Sequence, residues 1–118
     1  MNIKDKYKYR FRPEYNSENL LIEIFSGVEN QSFFSDLVNS IMEINPKIGE
    51  ISDLWMNDEY ILEVQSDIGN FLLSKDIWDL VFIMSENNQE CVNRINSILL
   101  KDNRFEKVEV NFDDYKQH

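Results

Sequence analysis

The chain has one cysteine, Cys91, and one histidine, His118, and both bear on whether it acts as an enzyme. A cysteine or serine nucleophile usually needs a base, most often histidine, within hydrogen-bond reach. His118 is the last residue, and Cys91 shares an apolar helical spacing with Ile95 and Leu99, which is typical of a small buried side chain. The sequence therefore does not predict a nucleophilic centre.

The carboxylates do not form a recognisable metal or cofactor motif. Zinc sites need clustered cysteine and histidine, and there is only one of each. The pairs Asp58-Glu59 and Asp113-Asp114 fall in predicted strands or turns, where adjacent side chains point to opposite faces. Asp58 followed by Glu63 and Gln65 loosely resembles a metal-dependent nuclease core, but the usual lysine is missing. The three glycines are isolated, so no phosphate-binding loop is present. We expect no cofactor, no bound metal and no catalysis.

The remaining feature that could have a function is an aromatic side chain flanked by acidic residues. Trp78 lies between Asp76 and Asp79, and Trp55 also has acids nearby. Interface hot spots are enriched in tryptophan and tyrosine, and surrounding charge steers association with a basic partner. Burial in the core is the alternative for both tryptophans. The predicted partner-binding residues are Asp53, Asp58, Glu59, Tyr60, Asp76, Trp78 and Asp79.

Periodicity predicts an α+β fold over a single domain, residues 1–118. Alternating apolar residues indicate strands, and apolar residues spaced by three or four indicate helices. The pattern predicts a mostly antiparallel sheet with two helices packed on one face, in the order ββαββββαβ. The predicted strands are 6–12, 20–24, 48–56, 59–65, 70–74, 79–84 and 104–112, and the predicted helices are 31–44 and 88–101. Because the run 80–84 is wholly apolar, we expect both faces of that strand to be covered.

Charge is distributed unevenly along the chain. The net charge is −10, with +4 on residues 1–12 and −14 on the rest. Such a field repels nucleic acid and anionic lipid and attracts basic proteins. No apolar run approaches the ~20 residues of a spanning helix, and no secretory signal is apparent. With one cysteine as well, we expect a cytoplasmic protein that binds neither nucleic acid nor membrane.

The basic residues at the start of the chain alternate with aromatic residues between positions 6 and 12. A nucleic-acid-binding arm is one interpretation of this pattern. The other is a strand whose lysine-bearing face discourages edge pairing and is neutralised by cross-strand acids. The acidic remainder of the chain favours the strand.

In size, charge and composition the whole chain resembles the immunity proteins of bacterial polymorphic and contact-dependent toxin systems. The resemblance implies a non-catalytic protein that binds a basic cognate toxin domain, for example a nuclease, and blocks it. The acids of the 50–65 hairpin and the 76–79 loop would then pair with the toxin, while Trp78 or Tyr60 fills a pocket. The alternatives are an adaptor-like, chaperone-like or homodimeric interaction module and, in another class, a carboxylate-metal enzyme. The oligomeric state is not predicted.

Overall fold

A computed structural model describes residues 7–48 and 59–115, in which a six-stranded sheet carries two helices. The sheet order is β3-β4-β5-β2-β1-β6, and every pairing is antiparallel except that of β1 with β6. Short 3₁₀ turns lie at Met42–Ile44 and Phe112–Tyr115. The elements are β1 (Tyr7–Pro13), β2 (Leu20–Ser26), α1 (Phe33–Ser40), β3 (Tyr60–Val64), β4 (Phe71–Lys75), β5 (Val81–Met84), α2 (Gln89–Leu100) and β6 (Phe105–Lys107).

The predicted class is confirmed: the fold is α+β, with a mostly antiparallel sheet and two helices. The order in the described residues is ββαβββαβ. The additional strand predicted at 48–56 lies, from residue 49 onward, outside the described residues.

One face of the sheet forms the core with both helices. Residues directly opposite each other in antiparallel strands point to the same face. Tyr9 lies opposite Ile24, and its hydroxyl group donates a hydrogen bond of 2.9 Å to the side-chain oxygen of Asn96 on α2. Helix α1 covers the same face, since the rings of Phe34 and Tyr60 are 5.9 Å apart. The alternation in the sequence therefore identified the core face of the sheet.

Within the described residues, no α-helix packs on the other face of the sheet, and this corrects the prediction for residues 79–84. Only Val81 and Ile83 of β5 are buried, while Phe82 and Met84 lie on the open face and are half-buried. Their register partners on the open face include Leu72 and Ser74 of β4. The unbroken apolar run thus reflects an open face that is itself partly apolar.

Three element boundaries differ from the prediction. The α-helix of the first predicted helical segment ends at Ser40 and is followed by a 3₁₀ turn, in which Met42 is exposed and which Asn45 closes in a left-handed conformation with φ of 50°. The second helix begins at Gln89, one residue later than predicted, because Asn88 is its N-cap and its side-chain oxygen accepts a hydrogen bond from the backbone amide of Cys91. The last predicted strand is regular only over Phe105–Lys107.

The basic side chains of β1 are paired within the sheet. Glu23 lies across from Arg10, and its carboxylate contacts Arg10 at 3.5 Å and Arg12 at 2.8 Å. The predicted cross-strand neutralisation is confirmed for these two arginines. The edge-guard interpretation is wrong, because β1 is an internal strand between β2 and β6.

Candidate interaction surface

The loop between β4 and β5, residues 76–80, is held in one conformation by Asp76. Its carboxylate oxygen Oδ1 accepts hydrogen bonds from the backbone amides of Trp78, at 2.9 Å, and Leu80, at 3.0 Å. The backbone amide of Asp76 also donates to the carbonyl of Leu80 at 3.0 Å. Aspartate favours such turns because its short side chain reaches backbone amides two residues on. The loop is therefore a preformed turn.

This turn presents two large apolar side chains to solvent. Trp78 is 75% exposed and Ile77 is 58% exposed. The core alternative for Trp78 is thereby excluded. Because exposed apolar area is unfavourable in water, two adjacent residues of this kind at the tip of an ordered turn are typical of an interaction site.

The acids of the loop have structural partners. Asp79 adopts a left-handed conformation with φ of 62°, and its carboxylate lies 3.1 Å from the ammonium group of Lys75. Asp76 serves as the acceptor that shapes the turn. The loop therefore offers negative charge that is partly balanced by Lys75, and its tip is apolar.

Strand β3 brings two more of the predicted residues to this end of the sheet. Tyr60 pairs with Lys75, so Glu59, which is exposed, lies across from the start of the loop. Tyr60 is only 9% exposed, and its burial raises the pKa of its phenol to about 12. Tyr60 therefore belongs to the core, whereas Trp78 is available to a partner.

The structure thus brings together Glu59, Asp76, Trp78 and Asp79 at one end of the sheet. The other predicted residues, Asp53 and Asp58, lie outside the described residues, as does Trp55.

The open sheet face next to the loop is not predicted from the sequence. Ile61 of β3 lies across from Ser74 of β4 and is well exposed, and Leu72 is 41% exposed. The sequence does contain an indication of this face. Residues 60–62 of β3 are all apolar, so neither face of that strand is fully polar. This face extends the apolar surface from the loop along β3 to β5.

The described residues contain few features that could bind a metal ion or act as a nucleophile. Among residues 7–48 and 59–115, no group of three or more histidine, cysteine, aspartate or glutamate side chains is placed to hold a metal ion. Cys91 is fully buried, and its burial raises the pKa of the thiol. A thiol of this kind is a poor nucleophile because the thiolate is disfavoured.

The architecture defines the chain as a small acidic α+β protein with a sheet face that is open along β3 to β5 and an exposed tryptophan turn at its end. Models of protein families, curated proteins and solved structures give no match to this chain. None of the helices in the described ranges has the length and apolar character needed to cross a membrane.

Proposed function

We propose that this protein is an immunity protein that binds and neutralises a basic cognate toxin domain, with the Trp78 turn as its central contact. The observation that carries the proposal is the exposure of Trp78 and Ile77 on a turn fixed by Asp76. A preformed turn loses little conformational entropy on binding. A large exposed aromatic group is the kind of residue that dominates binding energy in protein interfaces.

Charge supports a basic partner for this surface. The net charge is −10, and exposed or half-buried acids, namely Glu59, Asp76 and Asp79, surround the apolar tip. Such an arrangement accelerates encounter with a positively charged protein and opposes nucleic acid and anionic membranes. A cytoplasmic location and the absence of catalysis are part of the same proposal.

The test begins with the protein encoded next to this gene that co-purifies with the tagged chain. The toxin domain of that protein is expressed in cells that also express wild type, Trp78→Ala or Leu100→Ala. Leu100 is the control because it is also an exposed apolar residue but lies at the end of α2. We expect wild type and Leu100→Ala to restore growth and Trp78→Ala to lose at least tenfold in affinity for the toxin.

Charge is tested separately by Glu59→Gln with Asp79→Asn, which leaves the Asp76 turn intact. Asparagine tolerates the left-handed conformation of Asp79. Association with the toxin should slow several-fold and become less dependent on salt. Unchanged affinity of Trp78→Ala for the toxin, or self-association of the chain that is insensitive to salt with no toxin bound, would contradict the proposal and favour a homodimeric module.

A further inference from the structure

A cavity of about 770 Å³ opens at the other end of β4 and β5 from the Trp78 turn. The turn before β4 (Gly69 and Asn70) and the β5–α2 loop (85–88) form two of its sides, and Glu14, which follows β1, forms a third. The volume lies within the ~300–1,000 Å³ typical of ligand cavities. The cavity therefore has room for a side chain together with adjacent backbone.

The floor of this cavity is apolar and belongs to the open sheet face. Leu72 and Met84 lie directly opposite each other in the register of β4 and β5, and both line the cavity. Leu72 is 41% exposed. An aliphatic chain laid across these two side chains would remove apolar surface from water.

The rim of the cavity carries three carboxylates from separate segments, Glu14, Glu63 and Glu86. The pKa of Glu14 is raised mainly by burial. The negative charge of Glu86 and a hydrogen bond with Glu86 raise it further. Arg12 acts in the opposite direction, but its guanidinium is held by Glu23 at 2.8 Å. No ion pair within residues 7–48 and 59–115 involves the three rim glutamates. Glu14 and Glu86 are therefore close neighbours whose charges oppose each other when both are ionised, and no ion pair among the described residues neutralises them.

The shape of the site selects an extended organic cation over a metal ion. The rim carboxylates do not converge into a group able to hold a metal, as judged over the described ranges. Arginine combines an aliphatic stem with a charged planar head that binds carboxylates through two parallel hydrogen bonds. The apolar floor suits the stem, and the carboxylate rim suits the head.

We infer that this cavity receives an arginine side chain of the basic partner, with its stem on Leu72 and Met84 and its guanidinium between Glu14 and Glu86. The inference rests on the proposed function, since the partner supplies the arginine. Leu72 and Lys75 are three residues apart on β4, a span of roughly 10 Å. One partner therefore reaches both the cavity and the Trp78 turn.

The cavity is tested without the partner by a ¹H–¹⁵N NMR titration of the full chain at fixed ionic strength. The probes are an acetylated arginine amide and its neutral isostere, the acetylated citrulline amide. We expect the arginine probe to cause saturable shifts at the amides of Leu72, Met84 and Asn87, and the citrulline probe to bind at least tenfold more weakly. Magnesium and calcium chloride are titrated in the same way and should leave these amides unchanged.

The variant Glu14→Gln/Glu86→Gln should weaken binding of the arginine probe at least tenfold. The matched control, Glu29→Gln/Glu109→Gln, removes two exposed carboxylates that do not line the cavity and should bind as wild type. Both variants are folded if their amide spectra match wild type at residues distant from the substituted positions.

Three results would overturn the inference: no saturable shifts, equal binding of citrulline, or equal weakening by the control variant. Shifts at the same amides caused by a divalent cation would overturn it as well, in favour of a metal site. Because no toxin is present, these outcomes are independent of the Trp78→Ala experiment, and either proposal can fail alone.

Discussion

The carboxylate of Asp76 accepts a hydrogen bond of 2.9 Å from the backbone amide of Trp78, so an acid that the sequence predicts as a partner contact also shapes the turn. The same oxygen accepts from the amide of Leu80 at 3.0 Å. Two amides of the turn therefore depend on one side chain, and the position of the exposed indole depends on it as well.

Asp76→Ala should lower the free energy of unfolding by about 1 to 2 kcal/mol, because two backbone amides lose their acceptor. Asp76→Asn keeps an acceptor oxygen and should lose less than half of that amount. Urea unfolding measures the stability, and ¹⁵N relaxation of residues 77–80 measures the order of the turn. If the alanine variant were as stable and as ordered as wild type, Asp76 would not be the residue that fixes the turn.

Trp78→Ala and Tyr60→Ala should separate surface from core at the same end of the sheet. Trp78 is exposed, so its removal should change the free energy of unfolding by no more than about 0.5 kcal/mol. Tyr60 packs against Phe34, and its truncation should cost about 3 kcal/mol through lost burial and a cavity. Chemical denaturation of both variants against wild type makes the comparison. A large loss in Trp78→Ala would place the indole in the core.

Gly69→Ala should destabilise the junction between the β3–β4 turn and α2. Gly69 has φ of 115°, which other residues rarely adopt, and an added Cβ atom would lie 2.1 Å from the side-chain nitrogen of Asn88. That nitrogen donates to the carbonyl of Ile68 at 2.8 Å, and the Asn88 oxygen caps α2. We expect a loss of about 2 kcal/mol or more in urea unfolding. Asn70→Ala, one residue further along in an exposed position, is the control and should lose less than about 1 kcal/mol.

Asp102 should make the stability of the fold depend on pH in the acid range. Its carboxylate accepts hydrogen bonds from Arg104 at 2.8 Å and from the Ser40 hydroxyl, and the Arg104 contact is the largest cause that lowers the pKa of Asp102 from 3.8 to about 2. Because the pKa is lower in the folded chain than in the unfolded chain, the stabilisation is complete above about pH 4 and is lost as pH falls toward 2.

Asp102→Asn should therefore be less stable than wild type by about 1 to 2 kcal/mol at pH 7, with the difference shrinking toward zero near pH 2. Urea unfolding at several pH values measures both effects. Asp114→Asn, which changes an exposed acid in the C-terminal 3₁₀ turn, is the control and should show no such trend. A difference that is constant from pH 7 to pH 2 would mean that the Asp102 carboxylate is not the source of the stabilisation.

The sequence by itself determined the class of fold and most of its core. The alternation of Tyr7, Tyr9 and Phe11, and the helical spacing of Cys91, Ile95 and Leu99, follow from backbone geometry, which fixes the direction of each side chain relative to its neighbours. Burial of those apolar faces is the main driving force of folding. Local patterns of this kind need no knowledge of distant residues, and for that reason the helices and most of the strands could be predicted.

Tertiary structure alone decided which surfaces are available. Both helices pack on one face of the sheet, so Phe82 and Met84 lie on an open face although their strand is wholly apolar. Glu14, Glu63 and Glu86 meet around one cavity because β1, β3 and β5 run in the same direction and all end at the same side of the sheet. The exposure of Trp78 and the burial of Tyr60 likewise depend on which side chains pack against each ring. Such relations arise from contacts between segments far apart in the chain, and no local pattern of residues encodes them.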